Sequence, residues 1–263
     1  MYKEILFTKE QNVAIVTINR PDRFNTMTPV LGQEIGDAVK EVRGDDEIRV
    51  MILTGAGDRA FCGGADLTAM DAFTKKGKSP SRYWITKPMA YWALAIGELE
   101  KPVIAAVNGV AAGGGMGLAS MCDIRIASQN ARFVPAFIER GLALDNGLSY
   151  ALPRIIGLAK ALEITLTGRT VDAVEAEKIG LVNKVVPQER LMQEVKELAM
   201  RIAELAPVAA ELTKLTLYRS TSSDLRTQFY FESYAQARCF NTEDMDEGIA
   251  SFLEKRESKF KGK

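Results

Sequence analysis

Apolar and polar residues alternate almost from the first position. Residues 4–8 and 13–19 each carry the two-residue period of a half-buried strand, and the polar Glu10–Asn12 step between them predicts a β-hairpin. The period then changes. Leu31, Ile35, Ala38, Val39 and Val42 fall on one helical face, behind Thr28 as N-cap and Pro29 at the first helical position. VMILT (50–54) reads as a buried strand and empties into a glycine-rich corner, GAGDRAFCGGADL, followed by a helical segment. After a stretch rich in Lys, Ser and aromatics (71–92) the pattern recurs as strand VIAAV, glycine corner, helix and strand DIRIA. Gly63-Gly64-Ala65 and Gly113-Gly114-Gly115 lie fifty residues apart at the same place in two strand-to-helix units, which predicts an internal repeat of ββα type and an α/β core. From about residue 188 the pattern is nearly all helical, ending in the amphipathic EDMDEGIASFLEKRESKFKGK. The expected division is a core over residues 1–187 and a helical region over 188–263.

Five glycines between Gly109 and Gly117 need a reason, because each one inside a helix or strand costs about 0.5–1 kcal/mol relative to alanine. A phosphate loop would show GxxxxGK[ST], which is absent; a dinucleotide fingerprint is begun by Gly115-Met116-Gly117 but lacks its third glycine. Close helix-on-strand packing is one explanation. The other is that glycine lets a ligand oxygen approach the unpaired, partly positive N–H groups at a helix N-terminus, and two such ends aimed at one oxygen make an oxyanion hole.

Composition narrows the chemistry. Across 263 residues, 34 basic side chains balance 34 acidic ones and no basic stripe stands out, so neither nucleic acid nor membrane is expected as a partner. The three cysteines, Cys62, Cys122 and Cys239, form no CxxC pair, and no secretory leader pattern or transmembrane-length run is visible, which points to a reducing, cytoplasmic setting. Histidine is absent altogether, which excludes Ser-His-Asp and Cys-His catalysis and histidine metal sites. Proton transfer near neutral pH then falls to a carboxylate, lysine, tyrosine or cysteine.

NRPDRFNTM, GAGDRAFCGGADL, KPVIAAVNGVAAGGGMGLASMCDIRIA, LPRIIGLAKALEITLTGRTVDAVEAEKIGLVNKVV and EGIASFLEKR, in this order over the whole length, resemble the crotonase (enoyl-CoA hydratase/isomerase) superfamily. The resemblance implies a spiral of repeated ββα units, a helical C-terminal trimerisation region and a homotrimer or homohexamer. It implies an acyl-CoA thioester as substrate, with its carbonyl held by the backbone N–H groups of Ala65 and Gly114. No separate cofactor is implied, since coenzyme A enters as part of the substrate. It also places CoA contacts at the backbone of Asp66, Leu67 and Thr68, nucleotide contacts at Lys255 and near Arg23, with Phe252 beside Lys255 in the tail, and the acyl tunnel near Tyr83, Trp84, Met89 and Trp92.

The reaction has to be read from the acids. Hydratases of this superfamily carry two glutamates where this chain has Gly117 and Phe137. Asp145, in GLALDNGLSYALPR, stands where double-bond isomerases of the superfamily carry their base, so the expected activity is an enoyl-CoA isomerase with Asp145 taking the α-proton. Asp145 also suits a plain helix N-cap. Glu139 is a weaker alternative acid, and dehalogenation would need a histidine. The competing readings are a hydratase with an unusual acid arrangement and a non-catalytic acyl-CoA binder.

Overall fold

A computed structural model describes residues 2–68 and 90–263. The hairpin forms from β1 (Ile5–Glu10) and β2 (Val13–Ile18), and Thr28 caps α1 (Pro29–Gly44) by accepting the Leu31 N–H at 3.0 Å. Six strands make the main sheet in the order β1-β2-β3-β5-β7-β10, with β3 at Val50–Gly55, β5 at Val103–Val107, β7 at Ile124–Ser128 and β10 at Lys184–Val186. All pairs but the first are parallel. A four-stranded sheet, β4-β6-β8-β9, is built from shorter pieces: Ala60–Cys62, Val110–Ala112, Arg132–Val134 and Val171–Asp172.

Each turn of the spiral gives a long strand to one sheet and a short one to the other, then a helix. β3 and β4 lead towards α2 (Tyr91–Gly97), β5 and β6 to α3 (Gly114–Ser120), and β7 and β8 to α4 (Leu148–Ile156), after which α5 (Leu158–Thr167) and α6 (Ala173–Lys178) lead on to β10. The repeat thus runs to three turns where the glycines mark two. The third corner has no glycine. Gly64 (φ 83°) and Gly113 (φ 51°) follow β4 and β6 with positive φ, and after β8 the same left-handed step is made by Ala136 (φ 56°), which costs an alanine strain that glycine avoids.

The main sheet is buried on both faces, which is why VMILT and VIAAV read as unbroken apolar runs. Met51, Leu53, Val103, Ala105 and Val107 face a core shared with α1 and the second sheet. Val50, Ile52, Ile104 and Ala106 face α7 (Leu191–Ala203) through Leu191, Val195, Ala199 and Ala203. In packing, therefore, α7 is part of the core although it begins the helical region of 188–263.

The helices after α7 attach differently. α8 (Pro207–Ser220) buries none of its residues and is held to the core by polar contacts. Lys214 pairs with Asp123 at 2.7 Å, both side chains being only 10 % and 15 % exposed, while the Tyr218 hydroxyl donates to the other Asp123 oxygen at 2.9 Å and the Val103 N–H also donates to Asp123. α9 (Leu225–Phe240) and α10 (Glu243–Glu254) follow, and the last residues return so that the N–H groups of Lys261 and Gly262 donate to buried Asp244. Removing one partner of a buried ion pair leaves the other uncompensated at about 3–5 kcal/mol. Asp123→Ala is accordingly expected to lower unfolding stability by about that amount, read as a lower urea midpoint.

Candidate active site

The two glycine corners lie side by side, because they follow β4 and β6, which pair in parallel in the four-stranded sheet. Met27 bridges Ala65 in parallel: its N–H donates to the Gly64 carbonyl at 2.6 Å and its carbonyl accepts from Asp66 at 3.1 Å. This fixes the first corner and leaves the Ala65 N–H without a hydrogen bond among the described residues. Gly114 opens α3, so its N–H has no intrahelical acceptor either. A Cβ placed on Gly64 would lie 2.6 Å from the Ala112 carbonyl oxygen and 3.5 Å from the Gly114 nitrogen, so the corners touch through backbone alone. Two unpaired donors on adjoining backbone, one of them at a helix start, can receive a single developing oxyanion.

Behind the corners stand two buried amides. Asn25 donates to the carbonyls of Ala56 and Ala60, at 3.1 and 2.7 Å, and Asn108 donates to Gly57 and accepts from Gly55. They close the 55–60 loop so that β4 delivers the first corner at a set height. Both asparagines are visible in RPDRFN and VNG, but nothing in the pattern marks them as braces.

Asp145 lies in the turn before α4, half-buried, with no cation paired to it among the described residues. Burial pushes its pKa up from the usual aspartate value, opposed by a hydrogen bond from the Asn146 amide at 2.5 Å. The helix cap is Gly147 and makes no side-chain bond, so the Asp145 carboxylate is not spent on capping. Asn146 ties this carboxyl to α3, for a Cβ on Gly114 would lie 2.8 Å from its Nδ2 and a Cβ on Gly117 would lie 2.8 Å from its Cβ. Gly117 is thus a glycine because Asn146 occupies the side-chain space. Phe137, 6 % exposed, sets its ring 4.0 Å from where a Cβ on Gly113 would be.

The remaining candidates are less converged. Asp66 accepts from the Thr68 N–H at 3.1 Å and pairs with Arg20 at 3.4 Å, so the N–H groups of Asp66 and Thr68 are both engaged within the chain. Leu67, 52 % exposed, presents its side chain outward. Arg23 is exposed in the 3-10 turn Pro21–Arg23. Lys255 is an exposed, left-handed C-cap of α10 (φ 55°). Glu139 is 59 % exposed beside Arg140, which keeps it at the surface. Tyr83, Trp84 and Met89 lie outside the described residues. The resemblance puts Trp92 near the acyl tunnel; its indole N–H donates to Asn146 at 3.0 Å, so it is part of the Asp145 surroundings. Nothing in the sequence pattern points to Asn146, since an asparagine before glycine signals only a turn.

Comparison with known proteins agrees with this architecture. The family model for enoyl-CoA hydratase/isomerase matches residues 8–263. The chain is 41 % identical to the short-chain-enoyl-CoA hydratase of Clostridium acetobutylicum, over 96 % of this chain and 95 % of that one. It is 39 % identical to the crotonyl-CoA hydratase of Syntrophomonas wolfei, over 98 % of both. Among solved structures, the enoyl-CoA hydratase of Bacillus anthracis superposes with a TM-score of 0.91 at 32 % identity, covering 99 % of this chain and 100 % of that one. The enoyl-CoA hydratase/isomerase of Cupriavidus metallidurans gives 0.91 at 34 % identity, covering 100 % and 97 %. With two glycine corners in contact, a three-turn ββα spiral and a helical C-terminal region matched from end to end, this chain belongs to the enoyl-CoA hydratase/isomerase family, the crotonase superfamily.

Proposed function

We propose that this protein moves a carbon–carbon double bond in an enoyl-CoA, with the N–H groups of Ala65 and Gly114 holding the thioester oxygen and Asp145 as the single base. The observation that carries this reading is Asp145 itself: a half-buried carboxylate, free of cations among the described residues and of capping duty, one amide away from the N-terminus of α3. It removes the α-proton of a 3-enoyl thioester, the two N–H groups stabilise the dienolate, and the resulting acid returns the proton to the γ-carbon. One oxyanion donor contributes about 2.7–4 kcal/mol to such a transition state. The backbone around Asp66, Leu67 and Thr68, with Arg23 and Lys255, is assigned to the CoA moiety, and the broad apolar face of α9 (Phe229, Tyr230, Tyr234), with Phe252 of α10, supports assembly into a homotrimer or homohexamer.

The second reading is hydration, favoured by the names of the relatives, which are short-chain-enoyl-CoA and crotonyl-CoA hydratases. Against it, residues 117 and 137 are glycine and phenylalanine, and Asn146 fills the space a side chain at 117 would need. Introducing a glutamate at this position is therefore expected to fail: Gly117→Glu loses stability by the ~1–3 kcal/mol typical of overpacking and gains no hydration of a 2-enoyl-CoA, measured as retained thioester absorbance. The deciding experiment mixes the protein with a 3-enoyl-CoA and, separately, a 2-enoyl-CoA, and follows the ultraviolet absorbance of the conjugated thioester. Conjugation gained from the first supports isomerisation; conjugation lost from the second supports hydration. Neither change, with acyl-CoA bound, makes the protein a binder.

A further inference from the structure

The isomerase reading uses only one member of a three-residue chain, Trp92–Asn146–Asp145. Asn146 has φ 52°, a left-handed conformation that asparagine tolerates better than most residues. Its amide is gripped at both ends: Nδ2 donates to Asp145 Oδ1 at 2.5 Å, and Oδ1 accepts from the Trp92 indole at 3.0 Å. An indole nitrogen can only donate, so the amide oxygen has to face Trp92 and the NH2 group has to face the carboxyl. A flipped amide would set N–H against N–H on one side and oxygen against oxygen on the other.

Trp92 is itself fixed. Gly32 of α1 makes room for its ring, where any Cβ would collide, and Tyr91 meets it edge-on with centroids 5.4 Å apart while its hydroxyl donates to Gln33 at 2.7 Å. The path from α1 through α2 to Asp145 is thus a series of single-orientation contacts.

Resting on Asp145 as the base, we infer that Asn146 is a positioning residue for that carboxylate and that Trp92 locks the amide in the donating orientation. A donor to a carboxylate favours its charged form, whereas burial disfavours it, so the amide keeps the base available near neutral pH. Among the described residues no other group offsets the loss. α3 carries no titratable side chain; the titratable groups on the other neighbouring elements are Tyr91 of α2, Tyr150 and Arg154 of α4, and Glu139 and Arg140 of the preceding turn, while burial and the Asn146 amide are what act on the Asp145 carboxyl.

The test compares wild type with Asn146→Gly, which suits the left-handed backbone, and with Trp92→Phe, which keeps a ring but removes the donor. Two quantities are read: the pH profile of 3-enoyl-CoA isomerisation, and the titration of the Asp145 carboxyl by NMR in carbon-13 aspartate-labelled protein, with Asp145→Asn assigning the resonance. In both variants the resonance should titrate at higher pH, the acid limb of kcat/KM should move with it, and kcat should fall about 10–10²-fold with KM little changed. A fall in activity with the resonance and the limb both unmoved overturns the inference. If the wild type does not isomerise, the isomerase reading fails separately and the resonance still decides: an upward move in both variants upholds the positioning role, and no move overturns it.

Discussion

Asp145→Asn is expected to reduce isomerisation of a 3-enoyl-CoA by about 10²–10⁴-fold, the usual contribution of a positioned general base. The substitution is nearly isosteric and keeps an oxygen to accept from Asn146, so the lost quantity is basicity alone. Wild-type kcat/KM should rise with pH through a limb placed above the ordinary aspartate value, because burial holds the proton on Asp145. The same shift sets the sign of the stability change. A carboxyl whose folded pKa exceeds its unfolded pKa favours the fold below the unfolded value, and that contribution is lost as pH rises through the folded value. At neutral pH the ionised side chain is then a cost, so the asparagine variant should melt no lower than wild type. A variant with wild-type turnover would remove Asp145 from the mechanism, and Glu139 would be the next carboxylate to replace.

Gly115→Ala is expected to have the other large effect, lowering kcat/KM by about 10²-fold or more, the scale of losing one oxyanion donor. A Cβ there would press into the Cys62 carbonyl oxygen and lie 2.7 Å from the carbonyl carbon and 2.8 Å from the Cys62 Cβ. These are mostly backbone atoms at the end of β4, close in sequence to Ala65, and they cannot swing aside as a flexible side chain would. Relief has to come from moving α3 away from the first corner, which separates the Ala65 and Gly114 N–H groups. Stability should fall as well, by the ~1–3 kcal/mol typical of overpacking. Gly44→Ala serves as the control, because nothing lies within 4 Å of a Cβ at that position. Steady-state kinetics with urea unfolding on both variants separate the two effects. A folded Gly115→Ala enzyme with unchanged kcat/KM would show that the two corners need not adjoin for turnover.

Much of the fold is legible in the chain because the strongest signals are local. Period-two and period-3.6 patterns locate the hairpin, α1, β3, β5 and β7, since each element buries a face that its own residues define. The density of glycine at the two corners by itself signals a close backbone approach. The third spiral turn is not legible, because Ala136 takes the left-handed step without a glycine to mark it, and β4, β6, β8 and β9 are only two or three residues long. Nor does the helical pattern after residue 188 reveal that α7 closes the second face of the main sheet whereas α8 hangs on Asp123. Amphipathic periodicity says that a helix has a partner face and not which surface provides it.

By itself, then, the chain determined its α/β repeat, its family, its lack of any histidine and its short list of acids, all of which depend on residue type and spacing. Only the tertiary structure decided which acid is half-buried and uncapped, why residue 117 has no side chain, and how Trp92 comes to orient an amide 54 positions away. The reason is physical: burial, hydrogen-bond direction and side-chain volume are properties of neighbours, and these neighbours are brought together by the winding of the spiral rather than by their order along the chain.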